Sequence, residues 1–127
     1  MEVKIDTKEK FHVITPIVSE LSATMADQID KILLPFLQEN IKNVVLNLEQ
    51  VQRMDKAIAE QLIHIQQQFY ENNASFVCCA LGEALEAFLA DCELLELLNV
   101  TPTVSEAGDI VNMEEIEREL LDSDFSE

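Results

Sequence analysis

The side chains in this sequence that could do chemistry are two histidines, three cysteines and a large excess of carboxylates. His64 is four residues from both Glu60 and Gln68, a spacing that places side chains on one face of a helix. These neighbours give His64 two candidate partners at best, whereas a zinc site needs three or four ligands. His12 lies in an apolar run typical of a strand. We therefore predict structural or solvent-facing histidines, with no metal and no cofactor.

The three cysteines, Cys78, Cys79 and Cys92, form an odd set without CxxC spacing. Cys78 and Cys79 are adjacent in an apolar run, so in a strand their side chains would point to opposite faces. Free cysteine is among the most buried residue types, and reduced thiols are usual inside cells. The pattern predicts reduced, mostly buried thiols.

Motifs of catalysis and phosphate binding are absent from the sequence, including GxGxxG, GxxxxGK[ST], GxSxG and HExxH. The pair Glu114–Glu115 is most simply a solvated helix face in so acidic a chain. A receiver domain would need an aspartate at the end of its third strand and a later lysine. The corresponding strand end reads LNLEQ, and no lysine follows Lys56. We predict that the protein is not an enzyme.

The charge is strongly negative, with 25 acidic residues against 8 basic ones and a net charge of −17. Such a field repels nucleic-acid phosphates and anionic lipid headgroups, which argues against both as partners. The chain has no apolar run of about 18 residues, and its first residues, MEVKIDTKEKFHV, lack an apolar signal region. We expect a cytoplasmic protein without membrane insertion.

Strand patterns occur at regular intervals along the chain. Runs at residues 3–6 and 11–15, separated by the polar TKEK, predict a β-hairpin. Residues 44–48 and 76–81 are apolar runs expected for buried strands, and residues 101–104 predict a last edge strand.

Helical patterns separate these strands. Ser22 or Thr24 can cap a helix that runs to about Asn40, with a kink at Pro35. Further helices are predicted from Asp55 for about 16 residues, over residues 83–90 and from Ser105 onward. Asp55 is predicted to cap its helix and to stabilise the helix start by about 1 kcal/mol. The element order predicts an α/β fold, with a mainly parallel sheet of four or five strands, an N-terminal antiparallel hairpin and packed helices.

The segment from Asn43 to Leu62, NVVLNLEQVQRMDKAIAEQL, resembles the STAS family of anti-sigma factor antagonists. In that family a V-V-L-D-L strand leads through a connector to D-S-S-G and a helix. Asn47 takes the place of the strand aspartate, Val51 that of the connector hydrophobe and Asp55 that of the motif aspartate.

Three other segments agree with this resemblance, which covers about residues 3 to 112. Residues 19–22 resemble the signature before the first helix, and residues 76–86 resemble the V-x-L-V-G segment. Residues 94–107 resemble the closing leucine-rich turn and the S-x-x-E-A helix start. The resemblance implies a single STAS-type domain.

The motif is altered where the family carries its switch. Lys56 stands at the position of the phosphorylatable serine, Ala57 at the second Ser/Thr and Ile58 at the glycine. In the family a partner kinase that doubles as an anti-sigma factor phosphorylates this hydroxyl. Because a Ser/Thr kinase cannot phosphorylate lysine, that switch is absent here. Lys56 is then either a free surface residue or a positive contact on a docking face.

The resemblance implies a non-enzymatic module that binds a regulatory protein, such as an anti-sigma factor kinase. We predict docking through the loop and helix start, with exposed Met54 and Ile58 as apolar contacts in a polar rim. The predicted contact residues are Gln52, Arg53, Met54, Asp55, Lys56, Ala57 and Glu60.

Two alternatives remain open. One is a scaffold subunit in a signalling or lipid-transport assembly. The other is a domain that senses a small molecule or nucleotide near the helix N-termini, although the sequence lacks the glycines that let a phosphate approach the backbone.

The C-terminal segment, residues 105–127, holds nine acidic residues and one arginine. We predict a division into a STAS-like domain over residues 1–112 and an acidic C-terminal helix and tail over residues 113–127. The helix either packs on its own sheet through about Ile116, or docks on a basic partner or forms a homodimer contact.

Overall fold

The chain, described here by a computed structural model, has its backbone defined over residues 1–125 and its side-chain surroundings over residues 1–121. Residues 126 and 127 of the predicted acidic tail lie outside the described part. The strands are β1 (Val3–Thr7), β2 (Phe11–Pro16), β3 (Glu20–Leu21), β4 (Asn43–Asn47), β5 (Arg53–Met54), β6 (Phe76–Cys79) and β7 (Val100–Thr101). The helices are α1 (Ala26–Leu33), α2 (Lys56–Glu71), α3 (Glu83–Asp91) and α4 (Val104–Phe125).

The main sheet has five strands in the order β1-β2-β4-β6-β7. β1 and β2 form an antiparallel hairpin, and every other pairing in this sheet is parallel. The predicted α/β fold with an N-terminal hairpin is therefore confirmed. A separate parallel pair, β3 with β5, was not predicted, because two-residue strands carry no periodic pattern.

Proline sets two of the boundaries. α1 ends at Leu33, and residues Leu34–Gln38 form a 3-10 helix with Pro35 in its first turn, because proline has no N–H for an α-helical bond. The break expected at Pro35 is thus present. The last strand is Val100–Thr101 rather than residues 101–104, since Pro102 cannot donate to the sheet ladder.

The sheet is covered on both sides, and neighbouring strand residues point to opposite cores. On one side, Val44, Leu46, Phe76 and Cys78 pack with residues of α1, α2 and α3, and this side is called the three-helix face. On the other, called the α4 face, the buried set is Val13, Val45, Val77, Cys79, Ala107 and Val111.

Small residues let α4 approach the sheet closely. Gly108 faces the ring of Phe11, and a Cβ added at Gly108 would lie 2.8 Å from Phe11 Cζ. Beside it, Ala107 and Val111 are fully buried. The α4 face therefore combines close backbone approach with a small apolar core.

Candidate functional site

The loop that carries the predicted docking residues is held by backbone hydrogen bonds to residues 19–21. The N–H groups of Gln52 and Arg53 both donate to the carbonyl of Ser19, at 2.8 and 3.1 Å, and that of Asp55 donates to the carbonyl of Leu21 at 2.9 Å. Together with the β3–β5 pairing, these bonds fix the loop before α2 starts. The loop therefore has a fixed backbone conformation.

Asp55 precedes α2 but does not cap it with its side chain. Its backbone is extended, and its main-chain carbonyl accepts from Ile58 and Ala59 at 3.0 and 3.2 Å. The carboxylate Oδ2 instead accepts from the N–H of Ala23 at 2.7 Å, at the start of the 3-10 turn before α1. The predicted side-chain cap on α2 is therefore wrong, because the loop aims the carboxylate at the neighbouring turn.

The apolar contact was expected from two side chains that are in fact buried. Met54 is 5% exposed and Ile58 is 0% exposed, and both belong to the core of the three-helix face. Ile58 points inward because it lies on the same helical face as buried Leu62 and Ile65. The expectation that Met54 and Ile58 are exposed is therefore wrong.

The other six predicted contact residues are exposed. They are Gln52, Arg53, Asp55, Lys56, Ala57 and Glu60. Lys56 is the first residue of α2, where a cation is disfavoured by a few tenths of a kcal/mol to about 1 kcal/mol because of the helix dipole. No acidic residue lies in the first turn of α2 to offset it.

A cleft of about 270 Å³ opens beside this loop, between β5 and α3. Met54 and Leu85 lie at its buried base, and half-buried Phe88 and exposed Ala84 add apolar surface from α3. Its polar lining is Glu20, Gln52, Arg53 and Asp55. We call these eight residues the docking groove.

The α3 residues of the docking groove were missed by the sequence reasoning. Ala84 and Phe88 are four residues apart, so they lie on one helix face, and Gly82 starts the helix beside the loop. The spacing was visible in the sequence, but only the fold shows that this face lies against residues 52–55.

The charges of the groove partly cancel. Arg53 Nε lies 3.4 Å from Glu20 Oε2, and both side chains are largely exposed, so the pair adds little stability. Arg53 is the one cation lining the groove, against the carboxylates of Glu20 and Asp55. This lining disfavours phosphate-bearing ligands.

The histidines and cysteines lie apart from the groove. His12 Nε2 donates to the carbonyl of Ile41 at 3.0 Å, and Nδ1 forms a hydrogen bond with the Thr7 hydroxyl at 2.9 Å. His64 is exposed on α2. Across residues 1–121, no three His, Cys, Asp or Glu side chains are grouped so that they could hold a metal ion.

The cysteines are free thiols in the structure, with Cys78 and Cys79 buried and Cys92 partly buried. Burial, with a smaller contribution from neighbouring Cys79, raises the pKa of Cys78 to about 12. Burial and then the charge of Glu49 raise the pKa of Cys79 to about 11. Both thiols stay protonated at neutral pH, so they are poor nucleophiles.

A mixed sheet with helices on both faces, and a fixed loop leading into the helix after the central strand, is the architecture of a STAS domain. The STAS domain family model matches residues 2–107, and the chain belongs to that family.

Solved structures with this fold include anti-sigma factor antagonists. A putative anti-sigma factor antagonist of Thermotoga maritima superposes with a TM-score of 0.74 at 19% identity, covering 87% of this chain and 94% of that one. SpoIIAA in its unphosphorylated form gives 0.68 at 17% identity, covering 87% and 96%. RsbS of Moorella thermoacetica carrying a serine-to-glutamate substitution gives 0.72 at 16% identity, covering 93% and 99%. At these identities the likeness establishes the fold.

None of the curated proteins matches this chain. In the described part of the chain, every helix is too short or too polar to span a bilayer.

Proposed function

We propose that this STAS domain is a non-enzymatic, cytoplasmic interaction module that binds a regulatory protein partner through the docking groove and the adjoining start of α2. The supporting observation is a pre-formed cleft with an apolar base and a polar rim, next to the position where the family carries its phosphorylatable serine. Small transient interfaces have this layout of apolar centre and polar rim.

The contact surface consists of three parts. Phe88 and Ala84 of α3 supply accessible apolar area above buried Met54. Arg53 and Asp55 form the rim, and Lys56, Ala57 and Glu60 extend it along the exposed side of α2. A partner side chain of moderate size enters the groove while polar groups around it meet the rim.

Lys56 determines how this module is regulated. A lysine places a constant positive charge where phosphorylation would place a dianion, so capture at this site is independent of a serine kinase. The partner is therefore a protein that tolerates or requires a cation at this point. An anti-sigma factor kinase is one such partner, and a component of a signalling or lipid-transport assembly is another.

The test is affinity capture from the native cell, followed by mass spectrometry, with wild type and Lys56→Glu as baits. We expect Lys56→Glu to lose the partner, because it reverses the charge at the rim of the groove. Lys42→Glu is the matched control, since Lys42 is also exposed but precedes β4, at the opposite end of the strands from the loop. Equal capture by wild type and Lys56→Glu would contradict this docking surface.

A nucleotide panel in a thermal shift assay tests the small-molecule alternative. A ligand at 100 times its dissociation constant adds about 2.7 kcal/mol to the free energy of unfolding. We expect no such shift, because the groove offers one paired arginine and two carboxylates to an anionic ligand.

A further inference from the structure

The C-terminal part of α4 exposes a continuous apolar surface. Met113, Ile116, Leu120 and Leu121 are 56 to 61% exposed. The other large hydrophobic side chains exposed to this degree in the described part of the chain are Ile5 and Leu97, which lie on other elements. Four of these six exposed side chains therefore lie on one helix. Single exposed hydrophobic residues are ordinary on a protein surface, whereas a group of them is typical of an interaction surface.

The geometry of α4 aligns three of these side chains. Met113, Ile116 and Leu120 are spaced by three and four residues, so they lie in one row along the helix, called here the outward stripe. Buried Ala107 and Val111 lie on the opposite side, against the sheet. The outward stripe therefore faces away from the protein core.

Polar contacts fix α4 beneath the outward stripe. Arg118 Nη2 donates to Glu115 Oε1 at 2.7 Å, to Ser75 Oγ at 3.1 Å and to Asn43 Oδ1 at 3.3 Å. The hydroxyl of Tyr70 donates to Glu114 at 2.8 Å. The helix is therefore held in place by its inner side, while the side chains of the outward stripe are more than half exposed.

Unpaired acidic residues share this outer side. At 100° per residue, Glu106, Asp109 and Glu117 lie within about 60° of Met113 around the helix axis. All three are exposed, and none forms an ion pair within residues 1–121. Arg118, the one basic residue of α4, is turned inward and bonded to Glu115. The apolar row is thus bordered by negative charge without a compensating cation.

The apolar row and the acidic residues beside it indicate which kind of molecule would bind to the outward stripe. A second copy of the chain would bring Glu117 and its neighbours against like charges, on a protein of net charge −17. Nucleic acid and anionic lipid are repelled for the same reason. We propose that the outward stripe binds a basic amphipathic helix of a partner protein, with apolar residues on the stripe and Lys or Arg beside the acidic residues.

This surface is independent of the docking groove. The groove belongs to β5 and α3 on the three-helix face, whereas α4 covers the opposite side of the sheet. Occupation of one surface therefore leaves the other accessible.

The test uses a fluorescent model peptide of about 18 residues, built of leucine and lysine with leucines at helical three- and four-residue spacing. Its control has the same composition with the leucines spread around the helix. We expect saturable binding of the amphipathic peptide, seen by fluorescence anisotropy, and at least about tenfold weaker binding of the control. Equal affinity for the two peptides, or no binding of either, would overturn the proposal.

Two double variants locate the binding. The double variant Ile116→Ser with Leu120→Ser should bind the amphipathic peptide at least about tenfold more weakly than wild type. Ile5→Ser with Leu97→Ser removes two other exposed side chains and should leave the affinity unchanged, as should Lys56→Glu at the start of α2. Equal loss in both double variants would place the binding elsewhere. A wild-type dimer in light scattering that becomes monomeric in the stripe variant would show that a second copy is the occupant, against the proposal.

Discussion

On the three-helix face of the sheet, 21 buried hydrophobic residues from the strands, from α1, α2 and α3 and from the loops between them form one cluster, whereas on the α4 face the cluster has six. Hydrogen bonds at α4 make up part of the difference: Arg118 of α4 donates to Ser75, and Tyr70 of α2 donates to Glu114 of α4. One face is thus closed by apolar packing, and the other by a small core and a polar network. The comparison indicates that the chain's fold rests on the first face, while the second can be altered more freely.

The largest effect is expected from Phe69→Ala on the three-helix face. Phe69 is fully buried, and its ring lies 5.2 Å from that of Phe76 between centroids. Loss of the ring and the resulting cavity should lower the free energy of unfolding by about 3–5 kcal/mol. Urea denaturation measures this, with Val111→Ala on the α4 face as comparator. At about 0.8 kcal/mol per buried methylene, Val111→Ala should cost about half as much. Equal losses of unfolding free energy in the two variants would contradict the difference between the two faces.

Arg118→Met should have the next largest effect, through the polar network of the α4 face. Methionine keeps an apolar stem but leaves Glu115 and Asn43 without their charged donor. A loss of about 1–3 kcal/mol in the free energy of unfolding is expected. Arg53→Met is the matched control, because the Arg53–Glu20 pair is exposed and should contribute less than about 1 kcal/mol. A similar loss in both variants would show that the Arg118 network adds nothing beyond a surface pair.

Asp55→Ala tests the hydrogen bond that ties the loop before α2 to the turn before α1. The carboxylate holds the N–H of Ala23, and a lost contact of this kind at a helix start costs about 1 kcal/mol. Asp55→Asn keeps an oxygen that can accept the same bond, so it should retain most of the stability. Chemical denaturation of the two variants separates the hydrogen bond from the charge. If Asp55→Asn lowers the free energy of unfolding as much as Asp55→Ala does, the negative charge of Asp55 stabilises the protein rather than the hydrogen bond.

The smallest effect expected is a pH dependence confined to the α4 face. Burial alone would raise the pKa of Glu115, but hydrogen bonds from Arg118 and Asn43 outweigh it and lower the pKa below 4.5. A carboxyl whose pKa is lower in the folded state adds stability above its unfolded pKa and loses it as the pH falls through the folded value. The stability difference between wild type and Glu115→Gln should therefore stay constant from pH 7 to about pH 5 and shrink as the pH falls below 4.5. Exposed Glu119→Gln is the control, and an unchanged difference for Glu115→Gln would contradict the assignment.

The sequence predicted the strongly patterned parts of this comparison. The apolar runs that became β4 and β6, and the stripe of Leu62, Ile65 and Phe69 on α2, are long enough for periodicity to identify them. Periodicity does not reveal the short β3–β5 pair, because its two-residue strands form only through tertiary contact.

The docking site stays a prediction, and the structure shows only where its residues lie. The loop and Lys56 lie where the family resemblance placed them, yet Met54 is buried, and Phe88 supplies accessible apolar surface in its place. Which side of a two-residue strand faces the core depends on its pairing partner, which local sequence does not show. The boundary expected after residue 112 stays a prediction, and α4 runs through that point without a break. Truncation after Asn112 tests it, because it removes Glu114, Glu115 and Arg118, whose side chains bond α4 to Tyr70, Asn43 and Ser75.

Two adjacent thiols, Cys78 and Cys79, point into the two different cores. An alkylating reagent therefore reaches Cys79 when α4 lifts from the sheet, but reaches Cys78 only when the helices of the other side separate. Mass-resolved labelling rates of these neighbours would report the opening free energies of the two layers from within one molecule. The two thiols can therefore show whether a partner bound to α4 slows the labelling of Cys79 on the α4 face while the labelling of Cys78 on the three-helix face stays the same.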